Sequence, residues 1–165
     1  MIWIIYFMMI YIMSIEILPR LWIGLNPSVA KDRDFFINNN IKYVINLTYD
    51  IPNYFRNITY FNVPISNENF NESELIMSSD QLFDVINKFI SQGYNYDVGI
   101  LIHDKNGKLS ALVASGFLMG VLKISHRDIY AYLKIHGFNN PNYISHNLNL
   151  INYEKKNNIK QCITY

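Results

Sequence analysis

Short apolar runs bounded by turn residues alternate with helix-spaced segments along these 165 residues, and that alternation predicts an α/β domain with a central sheet. Two segments carry most of the prediction. Val98–Ile102 is an unbroken apolar run, as a strand covered on both faces requires. Glu72–Gln92 sets Leu75, Ile76, Leu82, Phe83, Ile86, Phe89 and Ile90 at helical spacing. Half of the chain is apolar and 15% is aromatic, which fills a core and excludes a disordered chain; the length suits one domain.

Residues 1–15 hold no charged side chain, and Glu16 is the first. A bilayer span takes about 20 apolar residues, and a secretory signal needs a basic start and a small-residue cleavage site. Residues 1–15 meet neither requirement. Three readings stand: upstream sequence with Met13 as the true first residue, an apolar anchor or partner-binding helix, and a segment packed on the core. The expected division is an apolar extension over 1–14, a domain over 15–157 and a tail over 158–165.

Ile15–Leu18 and Leu21–Ile23 read as short strands split by Pro19. Asn26-Pro27 opens a helix, with Asn as the cap and Pro in the first position, running to about Asn39. Lys42–Leu47 and Ile58–Val63 are β-rich runs between turn residues. The helix over Glu72–Gln92 stops at Gly93. Ser110–Lys123 is apolar with small residues on one side, a helix buried on most faces. Ser125-His126-Arg127-Asp128 resembles a capping box and starts another helix. Pro141 starts the last one, which ends near Lys156.

Charge is sparse: 16% of residues against about 25% in ordinary domains. Asparagine takes the polar role, and 22 Asn with 26 Ile point to an AT-rich gene. A net charge of +1 favours neither nucleic acid nor an acidic membrane. The single cysteine, Cys162, excludes an intramolecular disulfide and a Cys-based zinc site. His126, His136 and His146 come at spacings of ten with no close carboxylate pattern, so no metal is expected. The sequons at Asn46, Asn57 and Asn71 arise by chance in an Asn-rich chain, and Asn46 falls in a core strand.

The loop His103-Asp104-Lys105-Asn106-Gly107-Lys108-Leu109-Ser110 joins the buried strand to the buried helix. A strand, a short Gly-containing loop and a helix N-terminus converge N–H groups on an anion. Many such turns bind nothing, so the spacing alone is a weak signal.

Taken in order, the segments from Ile15 to Lys156 resemble the dual-specificity phosphatases, the compact branch of the protein tyrosine phosphatase superfamily, and within them the small poxvirus-type members. Ile17–Gly24 is similar to the family's opening strand pair. Ile41–Thr48 (Ile-Lys-Tyr-Val-Ile-Asn-Leu-Thr) is similar to its "I-x-x-V-L-N-L-T" strand, and Ile58–Ser66 to its "I-x-Y-x-x-I-P-I-x-D" segment. Ile100–His103 resembles the "V-L-V-H" before the catalytic cysteine. Gly116–Met119 resembles the "A-Y-L-M" of the next helix, and Asn140-Pro141-Asn142 with Tyr153-Glu154 the "P-N … Y-E" of the last. The resemblance implies a protein tyrosine phosphatase-like α/β fold: a central, mostly parallel twisted sheet flanked by helices.

It also implies a chemistry of three groups. A thiolate activated by loop N–H groups attacks phosphorus, an arginine six residues on forks the phosphoryl oxygens, and an aspartic acid on another loop protonates the leaving oxygen. In this sequence the nucleophile position is Asp104. The arginine position is Ser110, or Leu109 when counted back from the helix. The general-acid position is Asn67, and the alternative acid for that role is the neighbouring Glu68. Cys162 lies past the last predicted helix. Asp104 as a nucleophile would need a second carboxylate and a magnesium ion, and no acid flanks it in the loop.

A carboxylate about 4 Å from a phosphate repels it by about 4 kcal/mol at an effective dielectric near 20. Asp104 is therefore expected to fill the anion site itself, worth about 0.3–1 kcal/mol at a helix N-terminus. Lys105 and Lys108 are expected to be solvated, and His103 to be a buried, hydrogen-bonded histidine. Tyr49, Tyr54, Phe55, Tyr60 and Phe61 flank the substrate region of the family, with core packing expected for Tyr60 and Phe61.

The expected function is that of a catalytically inactive pseudophosphatase acting by protein binding, as scaffold, competitor or dimer partner. The alternatives are a phosphatase of residual or unconventional activity and a membrane-tethered interaction protein. No cofactor, metal or nucleic acid is expected. The expected partner is a protein, such as a phosphoprotein, an active phosphatase or a second copy of the chain. The expected location is the cytoplasm, of a host cell or in a virion, with membrane association only through an exposed N-terminal segment.

Overall fold

The computed structural model describes residues 13–65, 79–139, 142–145 and 147–159. Among these residues five strands form one sheet: β1 (Ser14–Leu18), β2 (Leu21–Gly24), β3 (Ile41–Asn46), β4 (Thr59–Asn62) and β5 (Gly99–His103), in the order β1-β2-β5-β3-β4. β1 and β2 form an antiparallel hairpin. The other three pairings are parallel, so the sheet is mixed and mostly parallel. β5 holds the central place and all five of its residues are buried, which is why its sequence lacks polar alternation.

Helices cover both faces: α1 (Arg33–Asn38), α2 (Ser79–Asn95), α3 (Lys108–Leu122), α4 (His126–Ile135), α5 (Asn142–Ser145) and α6 (Leu148–Lys156). The larger core lies between the sheet and α2, α3, α4 and α6, around Ile23, Ile45, Phe83, Ile100, Ile102 and Leu118. The smaller core lies under α1, around Val29, Phe36, Ile41, Val44 and Leu101. Leu101 points one way along β5 and its neighbours Ile100 and Ile102 the other, the period-two alternation of a strand covered twice. The residues of α3 from Leu109 to Met119 are all buried, as its composition predicts.

Three predicted elements differ. The helix expected from Asn26 to Asn39 is two pieces. Asn26 does cap a 3₁₀ turn over Pro27–Lys31, its side chain accepting the Ser28 N–H at 2.8 Å. Asp32 then goes extended and caps α1, accepting the Phe35 N–H at 3.0 Å. An aspartate whose carboxylate competes for backbone donors is worth more at a cap than inside a helix. Gly93 does not end α2, which runs on to Asn95; the left-handed turn falls at Asp97. A Cβ at Gly93 would sit 2.7 Å from the Ile100 side chain, so this glycine lets the helix approach β5. The last predicted helix is also split, with Asn147 capping α6 through the N–H groups of Asn149 and Leu150. The beginning expected for α2 at Glu72, and Pro141, lie outside the described residues. Residues 1–12 do as well; among the described residues no helix is long and apolar enough to cross a membrane.

Candidate functional site

The carboxyl ends of β3 and β5 lie side by side, the place where sheets of this kind bind ligands. The Leu47 N–H donates to the His103 carbonyl at 3.0 Å, which ties the segment after β3 to the end of β5. The chain then turns through residues 104–107 into α3. Gly107 is the N-cap of that helix, with φ +81°, and has no side chain to satisfy the first-turn N–H groups. A Cβ there would also sit 2.8 Å from the Leu25 side chain.

Asp104 provides the missing acceptor. Its Oδ1 accepts the Gly107 N–H at 2.7 Å and the Ser110 hydroxyl at 2.7 Å, and its Oδ2 accepts the Leu109 N–H at 3.0 Å. The residue is 3% exposed. Burial pushes its carboxyl above the usual carboxylate range, against the pull of the Ser110 hydroxyl and the Leu109 and Gly107 N–H groups. Of the two positions that compete for the arginine's place, Ser110 is the one whose side chain reaches residue 104; Leu109 lines the cavity above. The Asn106 side chain accepts the Lys108 N–H at 3.1 Å, a second local cap.

His103 is buried as expected, 1% exposed, but its Nδ1 has no hydrogen-bond partner among the described residues. Burial lowers its pKa to about 4, so the ring is neutral near neutral pH and forms no ion pair with Asp104.

Above the loop lies a cavity of about 460 Å³ lined by Leu47, Thr48, Tyr49, Asp50, Ile65 and the loop residues Asp104–Asn106 and Leu109. Lys105 is paired rather than simply solvated: its Nζ lies 2.8 Å from the Asp50 carboxylate. That hydrogen bond to Lys105 holds the Asp50 carboxyl below its ordinary value. Asp50 carries no motif that would mark it, since its partner is far away in sequence.

Asn67, Glu68 and Cys162 lie outside the described residues, as does His146. His126 Nε2 lies 2.8 Å from the Ile144 carbonyl and His136 Nδ1 2.9 Å from the Tyr132 carbonyl, so both rings engage backbone oxygens. Among the described residues no three His, Cys, Asp or Glu side chains are grouped as metal ligands. Asn46 is buried and braces the turn after β3: its amide donates to the Ile51 carbonyl at 2.8 Å, and its oxygen accepts the Thr48 hydroxyl at 2.7 Å. The aromatic set is divided. Tyr49, 70% exposed, stands at the cavity over the loop. Phe61 stacks on Phe89 against the larger core, while Phe55 and Tyr60 pack on the smaller one.

A family model described as the dual specificity phosphatase catalytic domain matches residues 21–157. The human dual specificity protein phosphatase 6 is 31% identical over 137 residues, which cover 78% of this chain and 33% of the relative. The chain thus spans about a third of the length of the curated relatives it matches. Among solved structures, human DUSP28 superposes with a TM-score of 0.71 at 17% identity, covering 87% of this chain and 94% of that one. The human tyrosine phosphatase-like serine/threonine/tyrosine-interacting protein superposes with a TM-score of 0.70 at 21% identity, covering 87% and 96%. Both share its sheet and helices, and the chain belongs to the dual specificity phosphatase catalytic domain family.

Proposed function

We propose that this family member is a pseudophosphatase, inactive in phosphoryl transfer and acting by binding protein. The observation that carries the reading is the Asp104 carboxylate, which takes up the Gly107 and Leu109 N–H groups and the Ser110 hydroxyl. In the family's chemistry, loop donors of this kind hold the phosphoryl oxygens. Here an internal anion holds them, so an external one must displace a buried, triply hydrogen-bonded carboxylate. Protonation at low pH does not vacate the site, because the neutral carboxyl fills the same volume. The residues at the remaining reactive positions, Ser110 or Leu109 for the arginine and Asn67 for the general acid, support the same reading.

A chain of this kind works as a scaffold, as a competitor for a phosphatase target, or as the dimer partner of an active phosphatase or of itself. The poxvirus-type resemblance supports the cytoplasm, of a host cell or in a virion, as the location. One observation favours a rival: Asp50 lines the same cavity as Asp104, a second carboxylate for an unconventional phosphatase. Turnover of a small aryl phosphate by purified protein separates the two. No turnover above the buffer blank is expected; turnover lost in Asp104→Ala would overturn the pseudophosphatase.

A further inference from the structure

A second cavity, of about 540 Å³, opens at the other end of β3. Lys42 lies five residues before Leu47, about 16 Å along a strand, and none of the residues lining this cavity belongs to the phosphatase-type loop. Its floor is the smaller core, where Phe36 and Phe55 pack with ring centroids 4.6 Å apart. Ile37 stands 64% exposed at its edge and Tyr54 47% exposed. Around that apolar floor stand three cations, Arg33, Lys42 and Arg56, all exposed.

Among the described residues none of the three has an ion-pair partner, and no Asp or Glu lines the cavity. Of the two nearest acids in sequence, the Asp32 carboxylate is engaged as the cap of α1, and Asp34 does not line the cavity. The chain carries 14 Lys and Arg against 13 Asp and Glu. A surface drawn at that average would hold as many acids as bases. Three unpaired bases around exposed aliphatic and aromatic groups form a site short of its anion.

We propose that this cavity is a docking site for an acidic linear segment of a partner protein, carrying carboxylates for Arg33, Lys42 and Arg56 and an apolar side chain for the floor between Ile37 and Tyr54. The guanidinium groups fork carboxylates, and the apolar anchor sets the depth of insertion. The proposal stands whether or not the loop at the other end of β3 turns over phosphate.

The test uses the full chain and a fluorescein-labelled decapeptide of glutamates with a central Leu-Phe pair, followed by anisotropy. Saturable binding is expected, weakening with salt. Arg56→Gln and Lys42→Gln should each weaken it about three- to tenfold, while Lys134→Gln, at an exposed lysine of α4 that lines neither cavity, leaves it unchanged. The positions are exposed, and circular dichroism checks that the variants fold. Absence of saturable binding overturns the proposal, as does binding that the Gln variants leave untouched. Equal affinity for the peptide with alanines replacing Leu-Phe, or for a single-stranded oligonucleotide of the same charge, also overturns it, since the site would then be a general polyanion patch.

Discussion

The two ends of β3 handle charge in opposite ways. At the carboxyl end, the donors of the loop meet an acceptor from their own chain: Asp104 takes the Gly107, Leu109 and Ser110 groups, and Lys105 pairs with Asp50. At the amino end, Arg33, Lys42 and Arg56 surround an apolar floor with no carboxylate among the lining residues. The contrast shows where an outside ligand has something to gain. A site whose electrostatics are already satisfied binds an anion only by displacing its own, whereas a site with unpaired cations binds one at the cost of surface desolvation alone.

The largest expected effect breaks the closed end. Asp104→Ala strands two buried N–H groups and the Ser110 hydroxyl, and should cost about 4 kcal/mol in urea unfolding, since each stranded group costs about 1–3 kcal/mol. The vacated site should then accept an external anion, so inorganic phosphate should raise the Tm of Asp104→Ala and leave that of the wild type unchanged. A wild-type response to phosphate equal to the variant's would remove the contrast.

Next comes acid. His103 protonates at about 4 in the folded chain and near 6.5 when unfolded. The unfolded chain therefore binds more protons across that window, and stability falls as the pH drops from about 6.5 to 4, by about 3 kcal/mol at the limit. Asp104 acts with the opposite sign. Its carboxyl is raised on folding, so its contribution is greatest below the ordinary carboxylate pKa and is lost as the pH rises through the raised value. Urea titrations of the wild type and His103→Leu between pH 7 and 4 check this: the slope should flatten in the variant.

Gly107→Ala should cost about 2 kcal/mol, because φ is +81° and the Leu25 side chain lies 2.8 Å from the new Cβ. The smallest effects are expected from exposed charges. Lys105→Ala, which breaks the pair with Asp50 between two exposed groups, should leave the denaturation midpoint unchanged within error. Arg56→Gln should do the same for stability while weakening peptide binding, which separates the open end of β3 from the closed one.

Much of the fold is legible where the signal is local. The apolar run that becomes β5, the Asn26-Pro27 start and the Ser125 cap with its Asp128 partner are all in place. The site was legible in part: a loop led by Asp104 and closed on its own side chain follows from the order of residues around one strand-to-helix turn. The break at Asp32 escaped because two competing caps look like one helix in the sequence. Gly93 escaped because a glycine that stops a helix and one that lets a strand approach are written with the same letter. The missing partner of His103 Nδ1 escaped for a similar reason, since burial is legible in a motif and hydrogen bonding is not.

The amino-acid sequence by itself determined the order of strands and helices and the family. Those depend on patterns a few residues long. Only the tertiary structure decided which charges are satisfied. Lys105 and Asp50 are brought together by the pairing of β3 with β5, and Arg33, Lys42 and Arg56 come to surround one cavity because α1 and the segment before β4 both pack on the same face of β3. Electrostatic pairing depends on distance through space, which the chain sets only when its sheet is assembled.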